Sequence, residues 1–260
     1  MRQTMSRASI SLGPLFTSIC LVTMVHGAMA QGTYPAGDPQ TIAQGKKLVD
    51  VGGCAGCHTA PGGTPFGGNV IGDWNAPSLV NDPHNGLGAW SADDIALYLR
   101  TGHNAYADAS GPMASVITNS TAKLSEADAK AIGVYFKSLT GSSTAMRAPV
   151  AASDPAIVSG AHIYADECAA CHTNEGTGAA DLFPALKASP VVQADNPVTL
   201  VHVVLHGAQS VGTTAASASA MPAFGGQLSD QQIADVLTYI RNSWGNAAPA
   251  VSADTVKKAR

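Results

Sequence analysis

The chain has 260 residues, a formal net charge of −4 and only 12% charged residues. So few charges, with acids in excess, exclude the basic face that nucleic-acid binding needs. The length allows one or two domains with sizeable cores.

Residues 1–30 read as a secretory signal. Arg2 and Arg7 form a positive start, Leu15 to Val25 an apolar stretch, and Ala28-Met29-Ala30 a cleavage site. Gly13-Pro14 interrupts the apolar stretch early, which makes it short for a membrane span. No later segment has the length or apolarity to cross a membrane. Export places the expected mature chain in the periplasm, on or near the outer face of the cytoplasmic membrane.

After a Gly/Pro-rich lead-in, residues 41–51 predict a helix with Ile42, Leu48 and Val49 inward. It runs through Gly52-Gly53 into Cys54-Ala55-Gly56-Cys57-His58. A loop around Pro61 to Pro65 and the segment Ala76-Pro77-Ser78-Leu79 follow. Ser91-Ala92-Asp93-Asp94 opens a helix that Gly102 ends. Gly111-Pro112-Met113 reads as a loop, and a further helix runs from Ser125 toward Gly141 with Ile132, Tyr135, Phe136 and Leu139 at helical spacing.

Residues 142–154, rich in Ser, Ala and Pro, read as a linker. The plan then repeats. A short helix from Gly160 to Ala165 leads into Cys168-Ala169-Ala170-Cys171-His172. Phe183-Pro184-Ala185-Leu186 matches Ala76-Pro77-Ser78-Leu79. A helix runs from Asn196 to near Gly207, Met221-Pro222 stands in a second loop, and Ser229 caps a last helix with Ile233, Val236, Leu237 and Ile240 inward, ended by Gly245. Residues 247–260 form an Ala/Pro-rich, weakly basic tail. The expected units are therefore 31–141 and 155–246, each all-α.

The twice-repeated Cys-x-x-Cys-His is the attachment signature of c-type haem. Each thiol adds to a porphyrin vinyl group and the adjacent histidine ligates the iron. A zinc knuckle and a redox cysteine pair are the rival readings. The chain has five cysteines, Cys20 lies in the expected leader, and the other four all belong to the two motifs. A four-thiolate zinc site would need neither histidine. Two covalent haems are therefore expected, on Cys54, Cys57 and His58 and on Cys168, Cys171 and His172. Met113 and Met221, each beside a proline, are the expected sixth ligands, since a thioether suits an electron-passing iron. Met146, in the linker, is the only other methionine after the leader. The rivals are His84, His103, His162, His202 and His206. The carbonyls at Pro77 and Pro184 are candidates to orient the proximal histidines; the alternative is two loop prolines. Arg100 reads either as a propionate partner or as a helix C-terminal cation.

These units resemble class I cytochrome c domains. The runs from Gly86 to Ile95, Gly111 to Met113, Asn119-Ser120, Val191 to Pro197, Met221 to Gly225 and Thr238 to Asn246 are similar to the cytochrome subunit of membrane-bound quinoprotein alcohol and aldehyde dehydrogenases. That resemblance covers most of the chain after the leader. Such subunits usually carry three haem domains, and this chain matches the second and third. The resemblance implies a larger catalytic dehydrogenase partner (a quinoprotein, or a flavoprotein or molybdoprotein), ubiquinone or a terminal oxidase as acceptor, and peripheral attachment to the membrane. Two six-coordinate irons leave no open position for substrate, so the expected role is electron transfer and not catalysis. A soluble shuttle between respiratory complexes is the alternative. A dihaem peroxidase would require a longer chain and the loss of one methionine ligand. Gly62-Gly63 and Gly67-Gly68 lack the following helix of a dinucleotide site.

Overall fold

The computed structural model describes residues 37–141, 147–179, 182–212 and 219–260. The expected leader and residues 142–146 of the expected linker, Met146 included, lie outside the described residues.

Helix α1 (Pro39–Val51) begins two residues before the predicted start. Asp38 caps it, accepting from Thr41 N–H at 2.8 Å, and Pro39 sits where a missing N–H costs nothing. α6 (Pro155–Glu167) opens the second half in the same way, with Asp154 accepting from Ala156 N–H at 2.9 Å and Pro155 next. It is longer than the segment expected from Gly160 to Ala165. The motif helices α2 (Cys54–His58) and α7 (Ala169–His172) follow directly.

α3 (Ala92–Thr101) carries the complete capping box of Ser91 and Asp94, and Gly102 closes it with φ +83°. α4 (Gly111–Asn119) is a correction to the loop expected there. Pro112 favours a helical first turn, and the Met-Ala-Ser-Val-Ile run continues it. Gly111 holds φ +56° beneath the Trp74 ring, where a side chain would clash. α5 (Glu126–Ser138), capped by Ser125, stops one residue before Leu139, which is extended. In the second half come α8 (Pro190–Gln193), α9 (Val198–His206), α10 (Asp230–Ile240) and α11 (Ala253–Ala259). α10 ends before Arg241 and not at Gly245. Residues 247–260 do not form a loose tail. Val251 and Val256 are buried, and α11 packs on α10.

A 3-10 turn (Thr121–Lys123) and two short antiparallel strand pairs complete the described elements. β1 (Asn69–Ile71) pairs with β2 (Trp74–Ala76), and β3 (Ala208–Gln209) with β4 (Ala220–Met221). Met221 therefore lies in a strand opposite Ala208 and not in a loop, a second correction. Gly207, at φ +77°, lets the first strand pass close to the Met221 carbonyl, where a Cβ would not fit.

Each half is built on a crossing of its first helix with a later one, α1 over α5 and α6 over α10. The crossings use matching residues. A Cβ on Gly45 would lie under 3.0 Å from Ala131 O and from Tyr135 Cβ. A Cβ on Gly160 would lie equally close to Asp235 O and Tyr239 Cβ. The helices touch backbone to backbone, and the motif that follows each first helix is placed by that contact.

The halves also meet directly. Asn75 N–H donates to Thr199 Oγ1 (2.6 Å) and Val211 N–H to Ala109 O (3.0 Å). Ala109, Ile117 and Val211 form a small core that spans the join. The described part of the expected linker lies on the second half, where Val150 N–H donates to Asn242 Oδ1 at 2.9 Å.

Gly45→Ala and Gly160→Ala are each expected to destabilise the protein by about 2 kcal/mol, because the methyl group overpacks a backbone contact that has no slack. Guanidinium unfolding of the two variants checks this. Gly226→Ala, where a Cβ meets nothing within 4 Å, is the control and is expected to unfold like the parent.

Candidate functional site

In α2 the two thiols stand three residues apart, on one helix face, with the imidazole next in sequence. Gly53, at φ +65°, makes the sharp entry from α1. In the second half Cys168 is the cap residue of α7, and Cys171 and His172 follow within its single turn. The four motif cysteines are not paired with one another in disulfides. Burial pushes Cys54 upward and Cys168 up to about 11. Among the described residues no three of His, Cys, Asp and Glu group to hold a metal ion.

Both motif histidines are oriented by a backbone carbonyl. His58 Nδ1 lies 2.8 Å from Pro77 O, and His172 Nδ1 lies 3.0 Å from Pro184 O. A carbonyl only accepts, so Nδ1 carries the hydrogen and Nε2 presents a lone pair. Burial lowers both histidines below the usual value, and the prolyl carbonyls partly oppose this. For His172 the charge of Asp108 also raises it. The net effect keeps each ring neutral, the state that ligates iron.

The second half holds an apolar crevice. Cys168, Cys171, His172, Pro184 and Met221 all line it. Side chains such as Val204, Leu237 and Ile240 form its walls. One part of the wall comes from the first half, through Tyr106, Ala107, Asp108 and Ser110. In the first half, His58 meets Pro77, while Cys54 and Met113 pack against the same core, around Val49, Leu99 and Tyr135. Paired thiols, a neutral imidazole with an exposed lone pair, a thioether and apolar walls match the requirements of covalent haem.

Three of the rival histidines, His103, His202 and His206, make contacts elsewhere. His103 is 1% exposed, with Nδ1 on Asp108 Oδ1 (2.9 Å) and Nε2 on Val211 O (2.7 Å). His202 stacks against Trp74 and His206, both with ring centroids at 4.9 Å. Arg100 pairs with Glu126 at 3.9 Å, near the end of α3.

The long run from Thr238 to Asn246 was legible as a signature but not as a structure. It forms a buried polar knot beneath the crevice. Arg241 is 0% exposed and donates to the carbonyls of Pro249 (3.0 Å), Val192 (3.1 Å) and Ala194 (2.9 Å). Burial draws its guanidinium down to about 10. Asn246 Nδ2 donates to Leu186 O and Ile240 O, both at 3.0 Å, and Trp244 Nε1 to Asn174 O at 3.0 Å, beside the motif. Thr238 Oγ1 accepts from Val251 N–H at 3.0 Å. Only the density of Thr, Arg and Asn inside an apolar helix end signals this role in the sequence.

Known proteins resemble this chain over most of its length. The cytochrome c family model matches residues 42–140 and 157–244. The chain is similar to the cytochrome c subunit of the quinone alcohol dehydrogenase of Gluconacetobacter polyoxogenes, at 42% identity over 87% of this chain and 54% of that protein. It is similar to the gluconate 2-dehydrogenase cytochrome c subunit of Pantoea cypripedii, at 36% identity over 82% of this chain and 54% of that protein. Cytochrome c-552 of Thermus thermophilus is 33% identical over 39% of this chain and 83% of that protein. The chain thus spans about half the length of the dehydrogenase subunits it matches.

Arg241→Lys is expected to cost about 2 kcal/mol, since an ammonium group cannot reach carbonyls that a planar guanidinium satisfies together. Thermal unfolding followed by circular dichroism measures it. An unchanged midpoint would mean that the knot does not brace the fold.

Proposed function

Because the chain belongs to the cytochrome c family, we propose that it is a two-haem electron carrier that serves a dehydrogenase. The observation that carries this reading is the repeated pairing of a motif histidine with a prolyl carbonyl, His58 with Pro77 and His172 with Pro184. Cys54 and Cys57 hold the first haem and Cys168 and Cys171 the second. His58 and Met113 would ligate the first iron, and His172 and Met221 the second. Haem c supplies a one-electron couple between ferrous and ferric iron.

The chain's own residues do the rest. The prolyl carbonyls fix the imidazole planes and raise the basicity of Nε2. With the thioethers of Met113 and Met221 as sixth ligands, neither iron would offer a position to a substrate, and the chain would pass electrons without itself being a catalyst. Val204, Leu237 and Ile240 keep water from the second site, and a dry site reorganises little when the charge changes.

The electron donor on this reading is a larger catalytic subunit that oxidises an alcohol or aldehyde at the outer face of the cytoplasmic membrane. The names of the dehydrogenase-subunit relatives support that choice. The acceptor is ubiquinone or a terminal oxidase. No helix among the described residues is long and apolar enough to cross a membrane, which is compatible with peripheral attachment. The alternative is a free shuttle between respiratory complexes.

Pyridine haemochrome analysis is expected to give two haems per chain, and one after Cys168→Ala with Cys171→Ala. Met221→Leu is expected to lower the potential of one of two one-electron waves and to let carbon monoxide bind that iron; an unmoved wave would refute the ligand assignment. Adding a primary alcohol or aldehyde to the natively purified protein separates the two functional readings. Reduced haem bands mean that a dehydrogenase has co-purified, whereas reduction by dithionite alone favours the shuttle.

A further inference from the structure

One buried ion-pair geometry is not used by either haem site as described so far. The Asp108 side chain is 7% exposed and belongs to the first half, yet Asp108 lines the crevice of the second. Its Oδ1 meets His103 Nδ1 at 2.9 Å, while its Oδ2 is buried without a hydrogen-bond partner among the described residues. His103 stands behind it, outside the crevice wall, and its Nε2 donates to Val211 O at 2.7 Å. Val211 O only accepts, so Nε2 carries a hydrogen, and one hydrogen bond joins Nδ1 to Oδ1 on the other side of the ring. The pair is thus a fixed dipole with its carboxylate end on the crevice side. A buried, half-paired carboxylate is expensive, and such groups persist where they act on something.

We propose that Asp108, held in place by His103, is a positioning residue that lowers the reduction potential of the second haem and so biases the electron toward the first. This inference rests on the two-haem reading. Oxidation of the second iron adds one positive charge to a site of low polarity, and a carboxylate in its wall favours that state. The matching step is a one-electron exchange. The ferrous second haem loses one electron and the ferric first haem gains it, with no bond made or broken and no proton moved. The segment Tyr106 to Ser110 that forms the shared wall leads directly into α4 and Met113, so the same loop touches both sites. Other groups close to the dipole are Tyr98, whose hydroxyl is pushed upward by burial and then by Asp108, and His172 itself.

The test is a potentiometric titration of the haem-loaded full chain at pH 8, with the two waves assigned by the Met221→Leu variant. Asp108→Asn is expected to shift the second wave upward and leave the first in place, and Asp108→Glu to restore it. His103→Gln replaces a ring that can carry positive charge by a neutral amide and is expected to shift the second wave downward. Opposite signs from two neighbouring substitutions distinguish an electrostatic role from loosened packing, which would move both waves in the same direction. Should Asp108→Asn fail to fold, the sign of the His103→Gln shift decides alone. A second wave unmoved in these variants, or both waves moving together, overturns the proposal. Absence of c-type absorbance in the parent protein would instead refute the two-haem reading on which it rests.

Discussion

The architecture depends on a helix crossing at which there is no side chain. At Gly45 over Ala131 and Tyr135, and again at Gly160 over Asp235 and Tyr239, backbone meets backbone. Each first helix runs straight into its motif, so this contact sets where two thiols and an imidazole emerge. A looser crossing would move the imidazole relative to its prolyl carbonyl, and a hydrogen bond of 2.8 or 3.0 Å tolerates little displacement. The same contact thereby links the stability of the fold to the chemistry of the site.

Around that frame the two halves differ in how they hold their sites. The second is braced from below by Arg241, Asn246 and Trp244, which exchange hydrogen bonds with carbonyls near the motif and near α8. Buried polar side chains of this kind are tolerable because each is matched by an acceptor. The first half has an aromatic floor instead, with Phe66 edge-on to Tyr135 and Phe136, and Trp90 stacked on Tyr106. Duplicated motifs are thus carried by cores of different chemistry.

Much of this was legible in the sequence because local rules and tertiary need agree there. Ser91 and Ser229 form complete capping boxes, and Ile233, Val236, Leu237 and Ile240 face inward as their spacing predicts. Ala76-Pro77 and Phe183-Pro184 each place a carbonyl on a motif histidine. Asp38-Pro39 and Asp154-Pro155 cap α1 and α6 and so start both helices ahead of where apolar spacing alone puts them. Met113 and Met221 were expected in loops from their prolines, yet Pro112 opens a helix and Met221 is drawn into a strand by Ala208. The buried tail helix was obscured by Ala and Pro composition, although Ser252 caps it. Nothing local could reveal that Asp108 and Tyr106 complete a crevice whose motif lies far along the chain, since that contact exists only once both halves have folded against each other.

The shared wall bears on how such a chain could have grown. Copying an ancestral unit yields two self-sufficient modules, each able to be lost, swapped or expressed separately. Here Tyr106 to Ser110 of one copy furnish part of the cavity of the other. Residues 155–260 cut out as a module would carry a complete motif and an unroofed cavity, and would lay an apolar lining open to water. A chain built this way has to keep its two halves together, because the second cannot close its own cavity without the first.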